Sequence, residues 1–253
     1  MALVLFEKKV DILRISLNRA PALNAINGVL LQELERGLKD CMGDESIGAA
    51  VVFGQGGCFA AGADIKELAS LDEEGIRRFH HLRERAFSLL EKFPSPTLAV
   101  IERYALGTGL ELALCCDFRV ASLDAKLGVP SAKLGLVESY EYFARLVRSV
   151  GPSWAKKMVF TGEAVDAQTA WQMGLVEEIG PPDRLWAGVD SLLLRIRSHS
   201  LSSIRQTKKV IAACLQDPNL SEVRDRALHL VDSTKTEDFR KATQAFLKKR
   251  ETG

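Results

Sequence analysis

At 253 residues, 47% of them apolar and 26% charged, the chain has the balance of a globular protein with a sizeable core, which excludes a disordered one. Thirty-four Lys and Arg against 33 Asp and Glu leave a net charge of +1, so the overall charge gives no case for nucleic acid or an anionic membrane as partner. No stretch approaches the roughly twenty apolar residues of a membrane-spanning helix, and five irregularly spaced cysteines (Cys41, Cys58, Cys115, Cys116, Cys214) fit a reduced, cytoplasmic protein.

In chain order, MALVLFEKK has too short an apolar run for a leader peptide and reads as the first strand. VDILRISLN (10–18) and GAAVVFGQG (48–56) carry β-branched runs bounded by Asn, Gly and Gln, and are predicted strands. Between them Leu30, Leu31, Leu34, Leu38 and Cys41 recur at three- and four-residue steps, which predicts a helix capped by Asn24 or Asn27. A charged helix follows over about 72–92, with HHLRER as its solvated face, and ends at Phe93-Pro94-Ser95-Pro96; TLAVIERYAL then resumes a strand. DFRVAS (117–122) and KLGV (126–129) are short strands, and a helix through 139–149 is stopped by Gly151-Pro152. This alternation predicts an α/β class with buried strands joined by helices rather than hairpins. Beyond Gly180-Pro181-Pro182 the pattern turns helical, over 184–198, 200–215, 219–232 and 236–250. The expected organisation is a strand-containing core, residues 1–190, and a helical C-terminal region, residues 191–253.

Chemistry is suggested by two stretches. In YALGTGLELALCCDFRVAS (104–122), Gly107-Thr108-Gly109 follows a strand and opens a short apolar helix, where unsatisfied N–H groups favour negative charge. Glu111, three residues after Thr108, falls near the same face. A donor and a carboxylate side by side suit proton movement next to an acyl carbonyl, whose enolate-like charge needs donors already in place; a Gly-rich turn is also ordinary structure. In GGCFAAGADIKEL (56–68), small residues leave the backbone open to a ligand and Asp64 caps the turn that follows. Cys115-Cys116 and the four histidines lack ligand-like spacing, so no metal is assigned.

These two stretches, with NRAPALNAI (18–26), FTGEAVDAQTAWQMGLVEEI (160–179) and AFLKKR (245–250), resemble the crotonase superfamily, the enoyl-CoA hydratase/isomerase family, over essentially the whole chain. The resemblance implies a spiral of repeated ββα units followed by a C-terminal helical region, assembled as homotrimers or dimers of trimers. It implies an acyl-CoA substrate and no separate cofactor, coenzyme A being part of the substrate. The N–H groups of Ala63 and Thr108 match the two donors to the thioester oxygen, and Glu111 matches a catalytic glutamate. Ala22, Leu23, Ala61, Asp64 and Ile65 match positions along the adenosine and pantetheine path, and Phe246 and Lys249 resemble C-terminal positions that reach a neighbouring subunit's coenzyme A.

The chain departs from the pattern where hydratases carry a second glutamate: a Gln-Pro-Glu segment is replaced by Val129-Pro130-Ser131. Ser131 lines the substrate site in this reading but is no acid. A loop that is usually Pro-Gly-Ala-Gly-Gly reads Glu138-Ser139-Tyr140-Glu141-Tyr142, which makes Glu138 the candidate relocated carboxylate and the tyrosines a source of altered acyl shape. Thr108 replaces a glycine but keeps its N–H. The expected reaction is hydration of a 2-enoyl-CoA. The alternatives are a single-carboxylate double-bond isomerase, an acyl-CoA hydrolase or decarboxylase, and a non-catalytic acyl-CoA-binding protein.

Overall fold

A computed structural model describes residues 2–217, 219, 225 and 227–251, with the side chains of 246 and 248–251 excepted. The elements in order are β1 (Val4–Lys9), β2 (Ile12–Leu17), α1 (Gly28–Cys41), β3 (Ala49–Gly54), α2 (Ile65–Leu68), α3 (Glu73–Glu91), β4 (Thr97–Ile101), β5 (Tyr104–Leu106) and α4 (Thr108–Leu114). They continue as β6 (Phe118–Ser122), β7 (Lys126–Gly128), α5 (Tyr140–Thr161), β8 (Val165–Asp166), α6 (Ala167–Gln172) and β9 (Glu178–Gly180). Four helices close the chain: α7 (Leu185–Arg197), α8 (Leu201–Gln216), α9 (Leu228–Thr234) and α10 (Glu237–Glu251). The chain divides into two compact units, Met1–Leu194 and Arg195–Gly253; the sequence puts its boundary at 190. Among the described residues, no helix is long and apolar enough to cross a membrane.

One sheet has the order β1-β2-β3-β4-β6-β9 and the other β5-β7-β8. Apart from the β1–β2 hairpin, the first sheet is parallel. Its central strands AAVVFG and TLAVI are buried at every position, as expected when helices and a second layer cover both faces of a parallel sheet. Successive strands alternate between sheets, β4 then β5 before α4, and β6 then β7 before α5. That repeated strand-strand-helix turn is the expected spiral. TLAVIERYAL, read as one strand, is therefore two, and the chain leaves the first sheet at Arg103, whose φ of +54° breaks the ladder.

Asn27 caps α1, its side chain accepting from the Leu30 N–H. The expected stop at Gly151-Pro152 is instead a kink: α5 runs on to Thr161, interrupted at Gly151 (φ +73°), with Pro152 opening the next turn, where a missing N–H costs nothing. The helix expected over 219–232 is described only over Leu228–Thr234, most of the preceding positions lying outside the described residues.

Candidate active site

The segment 58–64 is laced to strands on both sides. Phe59 and Ala60 donate to the carbonyls of Glu102 and Tyr104, Leu106 donates back to Ala60, Ala61 donates to Leu23, and Asp64 donates to Ile26. Gly62, at φ +120°, carries the bend between the two pairings, and a side chain there would press on the Leu106 carbonyl at 3.2 Å. Gly109 packs so closely that an added Cβ would lie 2.4 Å from the Ala60 carbonyl oxygen. The 58–64 segment and the start of α4 are thus fixed against each other by backbone contacts. Neither the Ala63 nor the Thr108 N–H reaches an acceptor among the described residues. Two backbone donors without partners among the described residues thus lie on two adjacent, mutually fixed segments, an arrangement that natural proteins seldom leave unused.

Thr108 is tolerated because the strained angle falls one residue earlier, on Gly107 (φ +48°), while Thr108 has entered the helix. A β-branched side chain is disfavoured at positive φ, and here that angle is carried by glycine.

Glu111 is fully buried. Its Oε1 accepts from Arg145 Nη1 at 3.1 Å, and its Oε2 lies 3.3 Å from Arg83 Nε without hydrogen-bond alignment, so Glu111 Oε2 and Arg83 Nε are both buried without a hydrogen-bond partner among the described residues. Burial raises the carboxyl to a pKa of about 7, against the pull of Arg83 and Arg145. Glu138 shares one of these cations: its Oε2 is 3.6 Å from Arg83 Nη1, and burial raises it as well. Arg145 is tied on its other side to Glu84 and Glu91, at 2.7 and 3.0 Å. Two carboxylates with raised pKa thus meet at one guanidinium, the arrangement expected where proton transfer takes place near neutral pH.

Of the other residues singled out in the sequence, Ser131 sits in the 3₁₀ turn Pro130–Leu134 with its buried hydroxyl lacking a partner among the described residues. Ala61 is joined to Leu23 and Asp64 to Ile26 by the pairing above, with Ala22 ending the turn before Leu23 and Ile65 opening α2. Asp64 caps α2 as expected and also pairs with Arg19 at 2.7 Å. Phe246 and Lys249 fall on α10, but their side chains lie outside the described residues. The two loop tyrosines part company: Tyr140 is 92% exposed, whereas Tyr142 is fully buried and its hydroxyl donates to the Gly107 carbonyl at 2.8 Å.

Sequence reasoning missed Arg83 and Arg145. Each has a signal: Arg83 falls within the stripe Phe79, Ala86, Phe87 and Leu90 of α3, and Arg145 within Tyr142, Leu146 and Val150 of α5. A cation at an inward-facing helical position implies a buried anion to meet it.

Residues 7–253 match the family model described as enoyl-CoA hydratase/isomerase. The chain is 35% identical to 2,3-dehydroadipyl-CoA hydratase of Escherichia coli (strain K12), over 99% of this chain and 97% of that protein. It is 32% identical to crotonyl-CoA hydratase of Syntrophomonas wolfei, over 98% and 95%. The solved enoyl-CoA hydratase of Bacillus anthracis superposes with a TM-score of 0.91 at 30% identity, covering 98% of this chain and 96% of that one.

Proposed function

Since the chain belongs to the enoyl-CoA hydratase/isomerase family, we propose that it adds water across the double bond of a 2-enoyl-CoA with Glu111 as the principal acid–base group. The observation that carries this reading is a buried carboxylate with a pKa of about 7 one helical turn from the unpartnered Thr108 N–H. The relatives' names, two of them hydratases of 2-enoyl-CoA esters, support the same reaction.

In this reading the thioester oxygen accepts from the N–H groups of Ala63 and Thr108, which stabilise the enolate that forms as hydroxide adds at the β carbon. Glu111, through Oε2, moves the proton. Arg145 grips the other oxygen, Oε1, which fixes the plane of the carboxylate. Glu138 serves as the second carboxylate, held to the same Arg83, and the Ser131 hydroxyl is available to the water. Ala22, Leu23, Ala61, Asp64 and Ile65 line the path of coenzyme A. Assembly as a trimer or a dimer of trimers, and a cytoplasmic setting, belong to the same proposal. The first is supported by exposed apolar side chains such as Ile211 and Leu215 on α8, and the second by an odd number of irregularly spaced cysteines.

The test is to incubate purified protein with crotonyl-CoA and, in parallel, with a 3-enoyl-CoA, following conjugated-thioester absorbance and product mass. Loss of conjugation with gain of one water from crotonyl-CoA is expected. Gain of conjugation from the 3-enoyl ester without a mass change, and no hydration, replaces hydratase by isomerase; silence with both overturns the reading.

A further inference from the structure

The amide between Gly107 and Thr108 is one planar unit: its carbonyl oxygen and its N–H are opposite ends of the same dipole. The N–H end has no acceptor among the described residues. The oxygen end has two donors, the Glu111 N–H at 3.1 Å and the Tyr142 hydroxyl at 2.8 Å. The first is the ordinary bond of a helix start. The second is not local, since Tyr142 lies 35 residues away on α5. Its ring is fully buried, and burial together with the nearby carboxylates of Glu138 and Glu111 keeps the phenol protonated and therefore a donor.

A donor at the carbonyl end does two things to the N–H end. It fixes the orientation of the plane, here one hinged on a glycine at φ +48° that has two free dihedrals and no side chain to restrain it. It also polarises the amide, so that the N–H becomes a stronger donor, as in any chain of hydrogen bonds. A phenylalanine would fill the same space and do neither.

We propose that Tyr142 is a positioning residue whose hydroxyl, through the Gly107 carbonyl, orients and strengthens the Thr108 N–H as a hydrogen-bond donor to the substrate's thioester oxygen. The inference deepens the proposed function and rests on it. Tyr142 does not touch the substrate in this reading; its effect arrives through one peptide plane. It belongs to the same departure from the family pattern, the segment from Glu138 to Tyr142, that supplies the second carboxylate, so one altered loop serves both the oxyanion donors and the acid–base pair.

The test is Tyr142→Phe, read by kinetics with crotonyl-CoA and by vibrational difference spectroscopy of the bound ester with an isotope-labelled thioester carbonyl. The variant keeps the ring, and the Gly107 oxygen keeps its Glu111 donor, so folding is expected to survive. The expected result is a fall in kcat of about tenfold, a fraction of the effect of deleting a whole oxyanion donor, with KM changed less than about twofold. The carbonyl stretch, lowered on binding to the natural protein, moves back towards its value in water. Should the phenylalanine variant fail to fold, a ring-fluorinated tyrosine at 142, with a more acidic hydroxyl, is expected to lower the stretch further. A carbonyl stretch that is lowered on binding to the natural protein and unchanged by either alteration overturns the role of Tyr142. An ester whose stretch is not lowered on binding to the natural protein overturns the oxyanion reading itself.

Discussion

Glu111 is set by opposing effects of which burial is the larger: it drives the carboxyl up from 4.5 to about 7, and Arg83 and Arg145 hold it from rising further. The proton-accepting role needs the carboxylate, so kcat/KM is expected to fall as the pH drops through about 7. Arg83→Met removes one of the two lowering cations and leaves Glu138 beside Glu111 without the charge between them; the acidic limb is expected to move to higher pH. A limb that stays in place shows that Arg83 does not govern Glu111. Glu111→Gln is expected to cost about a hundredfold or more in kcat, the size of a lost general acid–base group. Folding runs the other way. A carboxyl whose folded pKa exceeds its ordinary value binds protons more tightly in the native state, so its contribution is fully present below 4.5 and is lost as the pH rises towards 7. Denaturant unfolding at pH 5 and pH 8 is therefore expected to show Glu111→Gln gaining stability relative to the natural protein at the higher pH. In the sequence the spacing puts Glu111 near the face of Thr108, and its proposed role comes from the family resemblance. Arg83 was not legible there, because HHLRER reads as a solvated face until the apolar residues around it are aligned on the helix.

The turn that carries the proposed oxyanion donors is assembled from segments that hold one another through backbone, and that is where a small change does most harm. A methyl group on Gly109 would meet the Ala60 oxygen at 2.4 Å and the Ala60 Cβ at 2.7 Å, and a backbone carbonyl bonded to Leu106 has nowhere cheap to go. Gly109→Ala is expected to cost about 1–3 kcal/mol by overpacking and, by prising α4 from the 58–64 segment that carries Ala63, to lower kcat/KM by about tenfold or more, since catalysis depends on donor placement. Gly43→Ala, where an added Cβ meets nothing within 4 Å, is the control and is expected to change neither quantity. Thermal unfolding and steady-state kinetics on both variants decide it; a Gly109 variant as active as the control removes the argument. The strands and helices were legible from periodicity because their apolar positions answer directly to burial. The break at Arg103 and the continuation of α5 past Gly151 were not: Arg103 takes its left-handed angle where its carbonyl accepts the Lys126 N–H at 2.6 Å, a tertiary contact that no local pattern announces.

The first unit meets the usual demand of a buried parallel core, whereas α8 and α9 bury no residue at all. On α8, Ile211 and Leu215 stand one helical turn apart on one face, and both are more than half exposed; Leu228, Leu230 and Val231 on α9 and Phe239 on α10 are exposed as well. Among the described residues these apolar side chains are exposed, which supports the proposed assembly, since exposed apolar surface marks interaction sites and a second copy of the same chain is the commonest occupant. The trimer or dimer of trimers proposed above would cover them. Light scattering on the eluting peak of a sizing column, at micromolar protein, is expected to give three or six times the 27.8 kDa chain mass. Ile211→Glu combined with Leu215→Glu places two like charges on the helix face and is expected to shift the mass towards the single chain, with circular dichroism showing whether the helices persist. A natural protein that elutes as a monomer removes the assembly. A doubly substituted protein that keeps its full mass and its helices places the contact elsewhere than on α8.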